Sequence, residues 1–333
     1  MGYRKTGPKE YKVSAADSTE ARRTNTSEFY VEWSGHKIEH LQRFYAFAQQ
    51  LRPRAPKIWL AGDSSLDNKY WVPGSGPGGD PLDVSVPEIY HLALSRPTPK
   101  PDVSFWMNHL YGEKATCINT AIEASMLRER DQILLPQDVF IREHIGKDDV
   151  LIVSVGGNDI AMKPTPTTVF QMLRIAWFNG LSSIQSGTAG GLPYFESIFK
   201  EKTEDYIKRL VSVTKPRAVI VCMIYFPLES KYGQESWADI SLRLLGYDRW
   251  PGQLQSAIRQ MFELGTRKVQ VDGTKVIPCA LYEVMDGSRK KEYTARVEPN
   301  EVGGRKMAER FKDILDQELT GIWGTRDSVP DPI

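Results

Sequence analysis

The 333-residue chain predicts an α/β fold: a parallel β-sheet covered by helices on both faces. Three observations carry this. Short apolar runs that suit fully buried strands recur along the chain: "KIWLAG", "ATCIN", "DVLIVSVGGND", "RAVIVCMIYFP" and "TKVIPCALYEV". Segments with apolar residues at helical spacing separate them, which calls for right-handed crossovers between parallel strands. Three of the runs lead into polar turns: Gly62-Asp63-Ser64, Asn119 to Ser125, and Gly156-Gly157-Asn158-Asp159. In such folds ligands bind beyond the carboxyl ends of the strands, where these turns fall.

Taken in order, residues 1–27 read as a polar tail without the apolar core of a secretory signal. The tail fits Met-Gly-x-x-x-Thr acylation only formally, with Tyr3 against it. "EFYVEW" reads as a short strand, and "HKIEHLQRFYAFAQQL" as a helix with Ile38, Leu41, Phe44 and Phe47 on one face. The strand "KIWLAG" follows. Residues 73–101, rich in Pro and Gly, read as an inserted flap with little regular structure. Gly74-x-Gly76-x-x-Gly79 within it has dinucleotide-fingerprint spacing. Pro77, Pro81 and Pro87 exclude the helix that a pyrophosphate would need. "DVSFWMNHLYG" is a helix stopped at Gly112. "ATCIN" is a strand, and "TAIEASMLRER" reads as the helix after it. After the third strand, Thr165-Pro166 supplies an N-cap and a first helical residue. "YFESIFKEKTEDYIKRLVSVT", "LQSAIRQMFELG" and "GGRKMAERFKDILDQEL" are amphipathic helices around the last two strands.

Composition narrows the function. Hydrophobic residues at 41% and charged residues at 26% support a packed core. A net charge of +1 and the absence of a basic stripe exclude nucleic acid as the expected partner. No apolar run approaches the ~20 residues of a membrane helix, so stable membrane insertion is not expected. The three cysteines, Cys117, Cys222 and Cys279, lie in or beside strand-like runs without zinc spacing. They read as core thiols, and the expected location is cytoplasmic.

The turn after the first strand is where chemistry is expected. Serine catalysis needs an exposed hydroxyl, donors for an oxyanion, a base and an acyl pocket. Ser64 supplies the first, and its own N–H with the Asn158 amide the second. The alternatives are a helix N-cap at Ser64 and a turn-forming Asn158.

In order, "GDSSLDN", "INTAIEAS", "VSVGGND" and "VEPNEVGGRKMAERF" resemble the first, second, third and fifth blocks of the GDSL, or SGNH, hydrolases. The resemblance runs from about residue 55 to 320. It implies a flavodoxin-like three-layer α/β/α sandwich with a five-stranded parallel sheet, here one domain over residues 28–325. It also implies ester or thioester hydrolysis of a small-molecule ester or acylated substrate, with no metal and no cofactor. By the same resemblance Ser64 is the nucleophile, and Asn158 and the backbone N–H of Ala124 hold the oxyanion. Asp63, Gly157 and Asp159 brace the site, and Tyr70, Trp71, Tyr225 and Phe226 line an acyl pocket.

The chain departs from the pattern in two blocks. Ala124 stands at the second-block glycine, which keeps the N–H. In the fifth block Glu298 stands at the histidine and Ala295 at the aspartate, so the usual base and its orienting carboxylate are both absent. Glu298 is then the candidate base, with Glu283 and Asp286 as displaced alternatives. Arg296, Arg305 and Lys306 would lower its proton affinity if they are close in space. The expected function is an esterase, acyl-esterase or deacetylase with an altered general base. The alternative is a catalytically inactive binding or scaffold protein on the same fold.

Overall fold

The computed structural model describes residues 23–72 and 83–318. Five parallel strands form its centre: β1 (Lys57–Gly62), β2 (Thr116–Asn119), β3 (Val150–Ser154), β4 (Ala218–Met223) and β5 (Lys275–Ala280). They lie in the order β2-β1-β3-β4-β5, the flavodoxin-like order with its switch point between β1 and β3. β1 to β4 are buried along their whole length, which is why they read as unbroken apolar runs. β2 and β5 are the two edges, and only β5 has an exposed residue, its first.

Helices Val103–Tyr111 and Glu301–Glu318 pack on each other in one layer. Helices Pro136–His144 and Thr203–Leu210 pack together in the other, with Ile38–Leu51 against Pro136–His144 and Pro251–Leu264 against Leu192–Ser197. The architecture is therefore the expected three-layer α/β/α sandwich. No helix among the described residues is long and apolar enough to cross a membrane.

Three expected elements differ. The start of "EFYVEW" belongs to a helical turn, Thr26–Phe29, because Asn25 accepts the N–H groups of Ser27 (2.9 Å) and Glu28 (3.2 Å). Residues 120–126 form no helix; only the 3₁₀ turn Leu127–Arg130 follows, and the α-helix waits until Pro136. The N–H groups of Ile122 and Glu123 are taken by the β1 loop, and Ala124 is left-handed at φ +60°. Finally, the region expected to be a flap contains the helix Glu88–Ala93, whose Ile89, Tyr90 and Ala93 are buried, packed on Ile38–Leu51. Thr24 pairs with Leu94 just beyond it. The glycine fingerprint at 74–79 lies outside the described residues.

Candidate active site

β1 must end in glycine. At Gly62 φ is +139°, and a Cβ there would lie 1.8 Å from the Ser154 carbonyl oxygen of β3. Asp63 N–H then donates to that same carbonyl (3.1 Å), which hooks the loop onto β3. Asp63 Oδ1 accepts the Ser65 N–H (3.1 Å) and Ser65 hydroxyl (2.8 Å), while Leu66 and Asp67 N–H groups turn back to the Asp63 carbonyl. Asp63 thus builds the turn. Burial pushes its carboxyl up to about 6, against the hydrogen bonds from Ser65. Ser64 sits within this turn, and among the described residues its N–H has no acceptor.

The other two turns are bonded to the first. Ile122 N–H (2.9 Å) and Ser125 Oγ (3.1 Å) both donate to the Gly62 carbonyl, and Glu123 N–H donates to Asp67 Oδ2 (2.8 Å). Ala124, held between them, has an N–H without an acceptor among the described residues. Gly156, at φ +96°, opens the short helix Gly157–Ala161. Asn158 Nδ2 from that turn donates to the Ser125 carbonyl (3.1 Å). The Asp159 carboxylate accepts the N–H groups of Leu127 (2.7 Å) and Arg128 (3.1 Å). Asp159 therefore braces the loop after β2 rather than only its own turn.

Glu298 arrives on a hairpin formed by β6 (Tyr293–Thr294) and β7 (Glu298–Pro299), where it faces Thr294. Ala295 and Arg296 turn the hairpin at φ +51° and +62°. The Arg296 guanidinium pins it through Asp239 and Asp248, each at 2.7 Å. The Glu298 carboxyl is 1% exposed. Its Oε1 accepts the Trp237 indole N–H (3.0 Å), and its Oε2 has no hydrogen-bond partner among the described residues. The Ser64 hydroxyl lies near enough to lower its proton affinity, although it forms no hydrogen bond to the carboxyl among the described residues. Burial raises its proton affinity, Ser64 and Trp237 oppose this, and Asp63 adds repulsion, leaving it at about 8.

The basic residues near Glu298 in sequence do not reach it. Arg305 pairs with Glu309, and Lys306 bonds the Val284 carbonyl and Glu292. The alternative bases are also engaged elsewhere: Asp286 accepts from Ser288, and Glu283 pairs with Arg310. No histidine lines the site.

Ser64, Asn158, Gly157, Asp63 and Glu298 all line one cavity of about 110 Å³. Its far walls are apolar: Ile160, Ile175, Phe195, Leu254, Ile258 and Met261. Tyr225 joins them, its hydroxyl donating to the Val297 carbonyl (2.7 Å). Phe226, expected beside it, faces away; its ring stacks on Tyr282 at 5.0 Å, under Arg259. Successive residues leaving a strand alternate in direction, so only one of the two can face the cavity. The walls come from residues 160–195, 224–227 and 237–261 with Val297, and neither Tyr70, Trp71 nor any described residue of 83–101 takes part.

Such an arrangement places a hydroxyl and a carboxyl in the lining of one largely apolar cavity, with two backbone N–H donors, unpaired among the described residues, on loops that share the Gly62 carbonyl. Two contributors escaped sequence reasoning. Trp237 lies in a stretch without periodicity, so no signal marked it. Glu123, whose Oε1 accepts the Trp71 indole N–H (2.8 Å), directly precedes Ala124, and that adjacency was the available signal.

No family model matches the chain, and no curated protein matches it by sequence. Among solved structures, it is similar to a lipase, Lip_vut3, from goat rumen metagenome, at 17% identity and a TM-score of 0.40, over 78% of this chain and 97% of that one. It is similar to a family 3 carbohydrate esterase from Clostridium thermocellum, at 14% identity and a TM-score of 0.36, over 81% and 100%. It is also similar to phospholipase A1 from Streptomyces albidoflavus, at 9% identity and a TM-score of 0.37, over 78% and 99%. Likeness of this degree carries no inference about chemistry.

Proposed function

We propose that the protein is an SGNH-type serine ester hydrolase in which Glu298 replaces histidine as the general base. The observation that carries this reading is that the Ser64 hydroxyl and the buried Glu298 carboxyl line the same largely apolar cavity, near enough for Ser64 to lower the carboxyl's proton affinity. In the reading, the Ser64 O–H bond breaks and its proton passes to the Glu298 carboxylate as Oγ attacks the ester carbonyl. The Ser64 and Ala124 N–H groups and the Asn158 amide hold the oxyanion. Glu298 returns the proton to the departing alcohol, and the acyl group stays on Ser64. Water then repeats the cycle and frees the acid. The apolar walls favour an aliphatic acyl group, with the alcohol half outside.

The raised proton affinity of Glu298 supports both the base and its weakness. A base near working pH is the efficient one, and an ordinary Glu near ~4.3 would be a poor one. Burial favours the protonated carboxyl, so turnover should rise with pH as Glu298 ionises. That same neutrality favours a second reading: an acyl-binding protein without turnover.

A fluorophosphonate probe and p-nitrophenyl acetate and butyrate separate the two. Hydrolase chemistry requires that wild type be labelled at Ser64 and turn over both esters. It also requires that Ser64→Ala lose both signals and Glu298→Gln lose at least about 100-fold in rate, as removal of a general base does. Equal background rates in wild type and Ser64→Ala would leave the binding reading.

A further inference from the structure

The Ser125 N–H donates to the Ile122 carbonyl (3.2 Å), closing a turn with Glu123 and Ala124 at its corners. Ala124 takes the third place of the turn at φ +60°, while Glu123 is not left-handed. This is the sign pattern of a type II turn, which favours glycine in the third place. An alanine there is strained. A type I turn keeps the same ends and relieves the strain by turning over the central peptide, the Glu123 C=O with the Ala124 N–H. These two groups point opposite ways from one planar unit. Turning it over would put a carbonyl oxygen where the Ala124 N–H now stands.

The segment ahead of β1 opposes that change. The Ser34 hydroxyl donates to the Glu123 carbonyl (2.7 Å) and so fixes the face of the central peptide. Asp67 anchors the pivot: its Oδ2 accepts the Glu123 N–H (2.8 Å) and, on the same oxygen, the Gly35 N–H (2.7 Å). Lys69 neutralises the other oxygen, Oδ1, at 2.5 Å, with both side chains buried. Gln137 Nε2 donates to the His36 carbonyl (2.9 Å) and holds the segment just beyond Gly35.

We propose that Ser34 is a positioning residue, which holds the Glu123–Ala124 peptide over so that the Ala124 N–H is left to receive the oxyanion. The use of that N–H rests on the hydrolase reading; the orientation of the peptide does not. Ser34 touches no reacting atom. It lies ahead of residues 55–320, so the four sequence blocks give no sign of it. Without its hydroxyl, the strain at Ala124 favours the turned-over peptide by roughly tenfold. About a tenth of the molecules would then keep the donor in place, and turnover falls by that fraction.

The test pairs p-nitrophenyl acetate kinetics with the NMR contact between the Glu123 α-proton and the Ala124 amide proton, both in the full chain. That contact is strong in the type II orientation, and a Glu123–Ala124 amide–amide contact replaces it when the peptide turns over. Wild type should show the strong contact. Ser34→Ala should exchange it for the amide–amide contact and lower kcat about tenfold with KM little changed, since the oxyanion forms only in the transition state. Ser34→Thr keeps the hydroxyl and should keep both contact and rate. Glycine takes either sign of φ with equal ease, so in the Ala124→Gly background the Ser34→Ala change should cost only about twofold. A wild type without the strong contact, a Ser34→Ala protein that keeps it, or a loss equally large in the Ala124→Gly background would overturn the proposal. Should Ser34→Ala not fold, Ser34→Cys, whose S–H is a weak donor, should show both contacts together, and the wild-type pattern there would overturn it. If wild type neither hydrolyses the ester nor is labelled at Ser64 by the fluorophosphonate, the hydrolase reading fails while the proton contacts still judge the role of Ser34.

Discussion

Replacing Trp237 with phenylalanine tests the assignment of Glu298 most directly. The indole N–H donates to Glu298 Oε1 at 3.0 Å and so stabilises the ionised carboxyl. A hydrogen bond to a charged group is worth about 1.5–3 kcal/mol. Trp237 is 41% exposed, so water can take over part of the role and about 1 kcal/mol should be lost. The lost interaction favoured the charged form, so the Glu298 proton affinity must rise. One kcal/mol corresponds to roughly 0.7 of a pH unit. The assay is the pH dependence of the second-order rate of Ser64 phosphonylation in wild type and Trp237→Phe. The rising limb should move to higher pH by roughly 0.5–1 unit, making the variant about three- to tenfold slower below the limb. At high pH the rates should converge, since the nucleophile and cavity are intact. A limb that stays in place or moves acidward would refute Glu298 as the group controlling Ser64.

Three further outcomes follow from the structure. Gly62→Ala should cost at least about 3 kcal/mol in chemical denaturation, because its Cβ would lie 1.8 Å from the Ser154 carbonyl; a loss below about 1 kcal/mol would contradict that close approach. Glu123 and Glu298 hold protons more tightly folded than unfolded, so the stability they contribute is full below the unfolded value near 4.5 and is lost as pH rises toward the folded values. Each group contributes a slope of at most about 1.4 kcal/mol per pH unit. Glu123→Gln should therefore unfold at higher denaturant than wild type at pH 8 and show a smaller difference between pH 5 and pH 8. Asp63 and Asp102, both raised to about 6, keep their share in either protein, and an unchanged difference would argue against a protonated Glu123. Ala257→Phe, placed on the apolar wall, should lower butyrate relative to acetate turnover by about tenfold, and an unaltered ratio would put the acyl group elsewhere.

The chain alone determined the sheet, the polar turns at the strand ends, and the place of Ser64 in the first of them. Parallel strands buried on both faces must be apolar throughout, and strand-end turns must be polar or glycine-rich, so both are legible as local patterns. Gly62 illustrates this: its role needs only the residue type and the end of an apolar run. The loop after β2 was misread as helix because its conformation is set by acceptors brought from elsewhere, the Gly62 carbonyl and Asp67, which no window of residues 120–126 contains. Tertiary structure alone decided the chemistry of Glu298. Arg296, two residues away in sequence, is spent on Asp239 and Asp248, whereas Trp237 lies 61 residues away and donates to the carboxyl. Asp63, far more remote, adds the repulsion that helps hold its proton. Proton affinity depends on burial and on the nearest charges in space. Chain folding sets both, and neighbours in sequence are a poor guide to either.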